Sequence, residues 1–226
     1  MSIRTARPEA LLLDFGSVIT VSMFERHRQT EADLGLPPGS LTWLGPIAPE
    51  TAALWQSMQR DEITERDYWA RRARELGEAS GNPGWDMLGM LTRLRHTDPN
   101  AVVRPEMRRL ILRARAKGLR VGILSNELEL FNGPDFISRM DVLRDMHSIV
   151  DATHTHILKP DARAYALGVQ GLGVPAERTL FVDDQFRNIA GAQRAGLQTQ
   201  FFDLRDVDGT LAAIAARLRI PMEDTP

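Results

Sequence analysis

Four short stretches of the chain set reactive groups at the end of an apolar run or beside one. LLLDFG delivers Asp14 and then Gly16, GILSN delivers Ser125 and Asn126, ILKPD carries Lys159, and LFVDD ends in the pair Asp183–Asp184. Asp14 is a candidate nucleophile, able to split one difficult transfer into two easier steps through a covalent intermediate. Three carboxylates in one crevice repel each other unless a cation neutralises them. Ser125 and Asn126 offer polar groups able to coordinate or hydrogen-bond a ligand. Lys159 offers a compact positive charge. Each group also has a plainer reading: Asp14 as a turn cap after a strand, Asp183–Asp184 as a solvated acidic turn before a helix, Ser125–Asn126 as an N-cap, Lys159 as a surface lysine. Against the last stands the composition, since only two of the 28 basic residues are lysine, Lys117 and Lys159.

The elements that must position these groups follow from periodicity. From Arg104 onward the chain alternates amphipathic helices with short apolar strands. RPEMRRLILRARAKG precedes LRVGILSN, DARAYALGVQGLG precedes TLFVDD (179–184), and QFRNIAGAQRAG precedes LQTQFFDL (197–204). SIVDAT (148–153) is a weaker strand candidate. Alternation of this kind implies parallel strands joined by crossover helices that cover both faces of the sheet. The expectation is an α/β fold, a doubly wound, Rossmann-like parallel sheet built from residues 1–20 and 100–226. Residues 21–99, with helical spacing in TAALWQSMQR, ITERDYWARRARELG and WDMLGMLTRLR, form a helical insertion between the first and second core strands. In such sheets ligands bind beyond the carboxyl ends of the strands, where the four stretches end.

Bulk composition narrows the function classes. Hydrophobic residues make up 43% and charged residues 26%, with a net charge of -2. This is ordinary for a soluble globular protein and lacks the clustered positive charge of a nucleic-acid binder. The absence of cysteine removes disulfides, thiol nucleophiles and thiolate metal sites. No apolar run approaches a membrane span and the N-terminus has no signal-like apolar region, so the expected location is cytoplasmic, and the composition leaves small-molecule or protein partners as the expectation.

In their order, the four stretches resemble the motifs of the haloacid dehalogenase-like (HAD) hydrolases, most of which are magnesium-dependent phosphatases. The resemblance implies Asp14 as the nucleophile that forms an aspartyl-phosphate. It implies Ser125, Asn126 and Lys159 as the groups that hold the phosphoryl, with Lys159 also pairing with the nucleophile. Mg²⁺ would be held by Asp14, the carbonyl of Gly16 and the acidic pair, Asp184 directly and Asp183 in support. Asn188 falls at the family's trailing polar position, and 21–99 at its mobile helical cap, which favours small phosphorylated metabolites. One departure matters. Most phosphatases of the family carry a second aspartate two residues after the nucleophile, as acid and base, and here that residue is Gly16. Two other readings follow from it: a phosphate-binding or regulatory protein on this scaffold, and a 2-haloacid dehalogenase, a metal-independent branch that also uses a Ser-Asn pair but not the acidic pair. His154 and His156 alternate in THTHILKPD and are expected to flank the site, a zinc pair being the rarer alternative; His27, Glu25, Arg26 and Arg28 reach the substrate or form a charged helix face.

Overall fold

A computed structural model describes residues 6–221. Its contacts divide the chain into two compact units, one built from the chain up to Thr20 and from Pro99 onward, the other Val21–Asp98.

The first unit is organised by five parallel strands: β1 (Ala10–Leu13), β2 (Arg120–Ser125), β3 (Ser148–Asp151), β4 (Thr179–Asp183) and β5 (Gln198–Phe201), in the order β3-β2-β1-β4-β5. β1 is central, and all four of its residues are fully buried, as are Leu180, Phe181 and Val182 of β4. Unbroken apolar runs of this kind are what a strand covered on both faces requires. The weak SIVDAT candidate is an edge strand, which explains its mixed pattern; Ile149 is exposed.

The second unit holds α1 (His27–Asp33), α2 (Ala53–Gln59), α3 (Glu65–Ala79) and α4 (Met87–Leu94). α3 begins at a reciprocal capping box, in which the Thr64 side chain accepts from Asp67 N–H and the Asp67 carboxylate accepts from Thr64 N–H. Phe24 is the centre of its core, with Trp43, Trp55, Tyr68 and Trp69 ringed around it at 5.5–6.5 Å between centroids. Such edge and tilted contacts are the favoured geometries of aromatic pairs. His27 is buried against Trp43, 4.3 Å between centroids, and neither ring nitrogen has a hydrogen-bond partner. The tryptophans of the insertion are therefore largely packing residues, as residues in a small helical core usually are.

The first unit's helices are α5 (Pro105–Ala116), α6 (Leu128–Asn132), α7 (Pro134–Ser138), α8 (Asp141–Arg144), α9 (Ala152–Thr155), α10 (Ala162–Leu172), α11 (Phe186–Arg194) and α12 (Val207–Leu218). α5 contacts β2 and α12, whereas α10 and α11 contact each other and the strands β2 to β5. Right-handed crossovers demand this division, because the chain steps from β1 to β2 to β3 in one direction and from β3 across to β4 and β5 in the other. The direction reverses between β1 and β4, which makes their carboxyl ends the topological switch point at which sheets of this kind bind ligands.

Close approach sets α11 against the loop that follows Lys159. A Cβ added at Gly191 would lie 2.7 Å from both the Pro160 Cβ and the Tyr165 hydroxyl. Gly191→Ala is therefore expected to cost about 1–3 kcal/mol by overpacking; urea denaturation is the measurement, and an unchanged midpoint contradicts the contact. In the second unit, burial holds the His27 pKa below its ordinary 6.5, with Arg72 acting in the same sense and Glu31 opposing. The unfolded chain then binds the proton more readily, so the stability that neutral His27 contributes is present above 6.5 and lost as pH falls below it. An NMR titration of the folded protein should place the His27 midpoint below 6.5.

Candidate active site

β1 and β4 run side by side with Leu13 opposite Val182, and the Asp14 N–H donates to the Val182 carbonyl at 2.9 Å. The next residue on each strand is then an acid, Asp14 on one and Asp183 on the other. β2 lies on the other side of β1 with Leu13 opposite Ile123, so Ser125 ends its strand beside the same point. The sheet register alone brings three of the four stretches to one edge.

Lys159 joins them. Its Nζ donates to Asp14 Oδ1 at 2.6 Å and to Asp183 Oδ2 at 2.7 Å, and its side chain is 1% exposed. Burial acts against the ammonium, but the charges of Asp14 and Asp183 and a hydrogen bond to each prevail, raising it above the ordinary lysine range. Asn126 fixes the backbone that carries this side chain: its Oδ1 accepts from Lys159 N–H at 2.7 Å and its Nδ2 donates to the Lys159 carbonyl at 3.3 Å. Asn126 thus has a positioning role in the structure that its sequence position did not reveal.

Asp183 is an anchor. Oδ1 accepts from the Gln185 N–H at 2.8 Å and from Asn188 Nδ2 at 3.0 Å; Oδ2 accepts from Lys159 and from Asn188 Nδ2 at 3.1 Å. Both oxygens of this residue, expected in the metal set, are thus engaged by the chain's own donors. Asn188 is held in turn by Tyr165, whose hydroxyl donates to its carbonyl at 2.8 Å. Asp184 is buried beside Asp183. The Gly16 carbonyl accepts from Val18 N–H at 2.7 Å in a tight turn that puts Ser17 at φ 65, and Gly16 itself is exposed.

Two supporting residues had no signal in the sequence reading. Arg104, at the N-cap of α5, donates from Nε and Nη2 to the Ser17 carbonyl at 3.1 and 2.9 Å, tying down the turn after Asp14. Asp151 ends β3 and accepts from the amides of Leu128, Glu129 and Thr153 at 3.3, 2.9 and 2.9 Å. It thereby holds the segment that follows Ser125–Asn126. The rule that strand ends carry function points to Asp151, but SIVDAT was too weak a strand to apply it. His154 and His156 do not form a metal pair: His154 Nε2 lies 3.0 Å from Glu129, and His156 closes α9 at φ 57. Among the described residues no group of three or more His, Asp or Glu side chains gathers as a self-sufficient metal cage.

Removing the ammonium leaves two buried carboxylates face to face, and breaking a buried ion pair from one side costs about 3–5 kcal/mol. Lys159→Met should lower the urea-unfolding free energy by about that amount. A loss below about 1 kcal/mol would show that the two acids do not depend on it.

Comparison with known proteins agrees with this architecture. The model of the haloacid dehalogenase-like hydrolases matches residues 8–196. A phosphatase of Mycobacterium tuberculosis is 31% identical over 103 residues, 44% of this chain and 46% of that protein. Haloacetate dehalogenase H-2 of a Moraxella species is 30% identical over 95 residues, 42% of each chain. The chain thus matches less than half the length of each of these relatives. A magnesium-bound HAD-hydrolase of Bacillus subtilis superposes with a TM-score of 0.69 over 95% of this chain and 100% of that one, at 18% identity, a likeness of fold. With the family model matching most of the chain, and a doubly wound sheet converging Asp14, Ser125, Lys159 and Asp183 on its switch point, the chain belongs to the haloacid dehalogenase-like hydrolases.

Proposed function

We propose that the chain is a magnesium-dependent phosphatase that cleaves a small phosphorylated metabolite through an aspartyl-phosphate on Asp14. One relative is named a phosphatase and another a dehalogenase, so the names do not decide. The acidic pair carries the reading: Asp14 and Asp183 share one ammonium, and Asp184, the next residue after Asp183, is a further buried acid. That balance favours a further cation, and a dehalogenase working without metal has no use for it.

The donor set fits Mg²⁺. It offers hard oxygens only, from Asp14, Asp184 and the Gly16 carbonyl, whose second lone pair remains after the bond to Val18. One or two carboxylates with water and substrate phosphate are how Mg²⁺ is ordinarily held, in contrast to an all-protein cage. When bound there, the metal supplies neutralisation of the phosphoryl oxygens. The chain's own residues supply the rest. Lys159 grips Asp14 by Oδ1 and so orients the carboxylate that attacks phosphorus. The Ser125 hydroxyl and the Asn126 backbone N–H are assigned to the phosphoryl oxygens as charge moves onto them. Asp183 keeps Lys159 in place, and Asn188 keeps Asp183. The helical unit Val21–Asp98 is assigned the part of a cap that excludes water and selects the leaving group.

A screen of phosphorylated metabolites with and without Mg²⁺ tests this reading. Phosphate release should require the metal, and Asp14→Asn should reduce it by about 10³-fold or more. A flat panel combined with stable capture of the phosphoryl analogue BeF₃⁻ would make the chain a binding protein. Metal-independent halide release from a 2-haloacid would make it a dehalogenase.

A further inference from the structure

The edge strand β3 carries a feature that chemistry at Asp14 does not use. Bounded by β3, α6, α7, α8, α9 and α10 lies a hollow of about 480 Å³ that opens to solvent. Its walls are mainly apolar, formed by Leu128, Ile137, Leu143, Ile149, Val150 and Leu167. A concave, mostly apolar space of this size, with a few polar groups to fix orientation, is the usual form of a small-molecule site. None of Asp14, Ser125, Lys159 and Asp183 lines it.

The walls are fixed by packing on either side. α10 buries Ala164, Tyr165, Gly168 and Leu172 and gives Leu167, Gln170 and Gly171 to the hollow. At Gly171 the helix lies so near β3 that an added Cβ would collide with Ser148 Oγ. Asp151 accepts the amides of Leu128 and Glu129 and so ties the first turn of α6 to the end of β3. Ile149 remains 42% exposed, leaving apolar surface that a bound molecule would remove from water.

Charge selects among possible ligands. The chain has 28 arginines and lysines, yet none of those described lines the hollow, whereas two carboxylates do, Glu129 and Asp151. Asp151 has both oxygens engaged by the amides of Leu128, Glu129 and Thr153. Glu129 is the available anion. Its Oε2 lies 3.0 Å from Nε2 of His154, an exposed ring on a one-turn helix, and a carboxylate has acceptor capacity beyond one such contact. An anionic ligand would meet two acids and no guanidinium or ammonium here. From this lining we infer that the hollow beside β3 binds a small organic amine, its apolar body against Leu143, Ile149 and Leu167 and its ammonium on Glu129. Neither the metal nor the reaction at Asp14 is needed for this binding.

The probes are 2-phenylethylamine and 3-phenylpropionate, which share an aryl body and differ in the charge of the head. Titrated into the ¹⁵N-labelled full chain, the amine should shift the amides of Glu129, Ile149, Val150 and Leu167 saturably, with a Kd of about 1 mM or below. The acid should bind at least about fivefold more weakly, and Glu129→Gln should weaken the amine by about fivefold or more while leaving the acid no weaker. The comparison of the two probes on the unaltered chain stands even if that variant does not fold. Shifts confined to other residues, no saturation by about 10 mM, or equal affinity for amine and acid overturn the inference. Shifts of the same amides on concentrating the protein without amine would give this face to a second copy of the chain, and would overturn it too.

Discussion

The contact on which the rest of the molecule's chemistry depends is the buried ammonium of Lys159 between Asp14 and Asp183. Desolvating three charges is expensive, and an apolar cluster of the same volume is often at least as stable. Its presence marks a place where the fold serves chemistry over stability. The arrangement survives because hydrogen bonds surround it: Asn126 on the lysine backbone, Gln185 and Asn188 on Asp183, and Tyr165 behind Asn188. Each holds the next, so the orientation of Asp14 is set by residues from β4, α10, α11, the turn after β2 and the loop before α10.

Topology explains why these elements meet. The reversal of strand order between β1 and β4 makes a topological switch point there, and parallel register brings the last residue of each strand to the same level. Turn chemistry refines the placement. Ser17 adopts a left-handed backbone, and Arg104, 87 residues further along the chain, clamps its carbonyl. An insertion of this length between β1 and α5 is compatible with an ordered turn after Asp14 because that clamp, the Arg104 N–H bond to Ile19 and the Thr20–Val103 bridge close its base.

Much of this was legible in the residues themselves. The apolar runs of β1, β2 and β4 are unbroken, so their burial, their parallel pairing and the polar residue that ends each could be read directly. β3 and β5 were harder. β3 is an edge strand with one exposed apolar residue, and β5 is the half-buried QTQF inside a longer expected stretch, so neither has the pattern of a central strand. The helical insertion was visible as a change of period, though not its aromatic centre at Phe24, because packing around one ring depends on which helix faces meet.

The sequence alone determined the fold class, the family resemblance and the identities of Asp14, Ser125, Lys159 and Asp183–Asp184, because strand burial and strand-end chemistry are local properties written at fixed spacing. Only the tertiary structure decided what each group does to the others. Lys159 bridges two acids from different strands, Asp183 spends both oxygens as an anchor, Asn126 holds a backbone 33 residues away, and Asp151 and Arg104 support loops to which no local signal connects them. Such partnerships are set by register and crossover geometry between segments distant in the chain. That is why the motif spacing could name the participants but not their bonds.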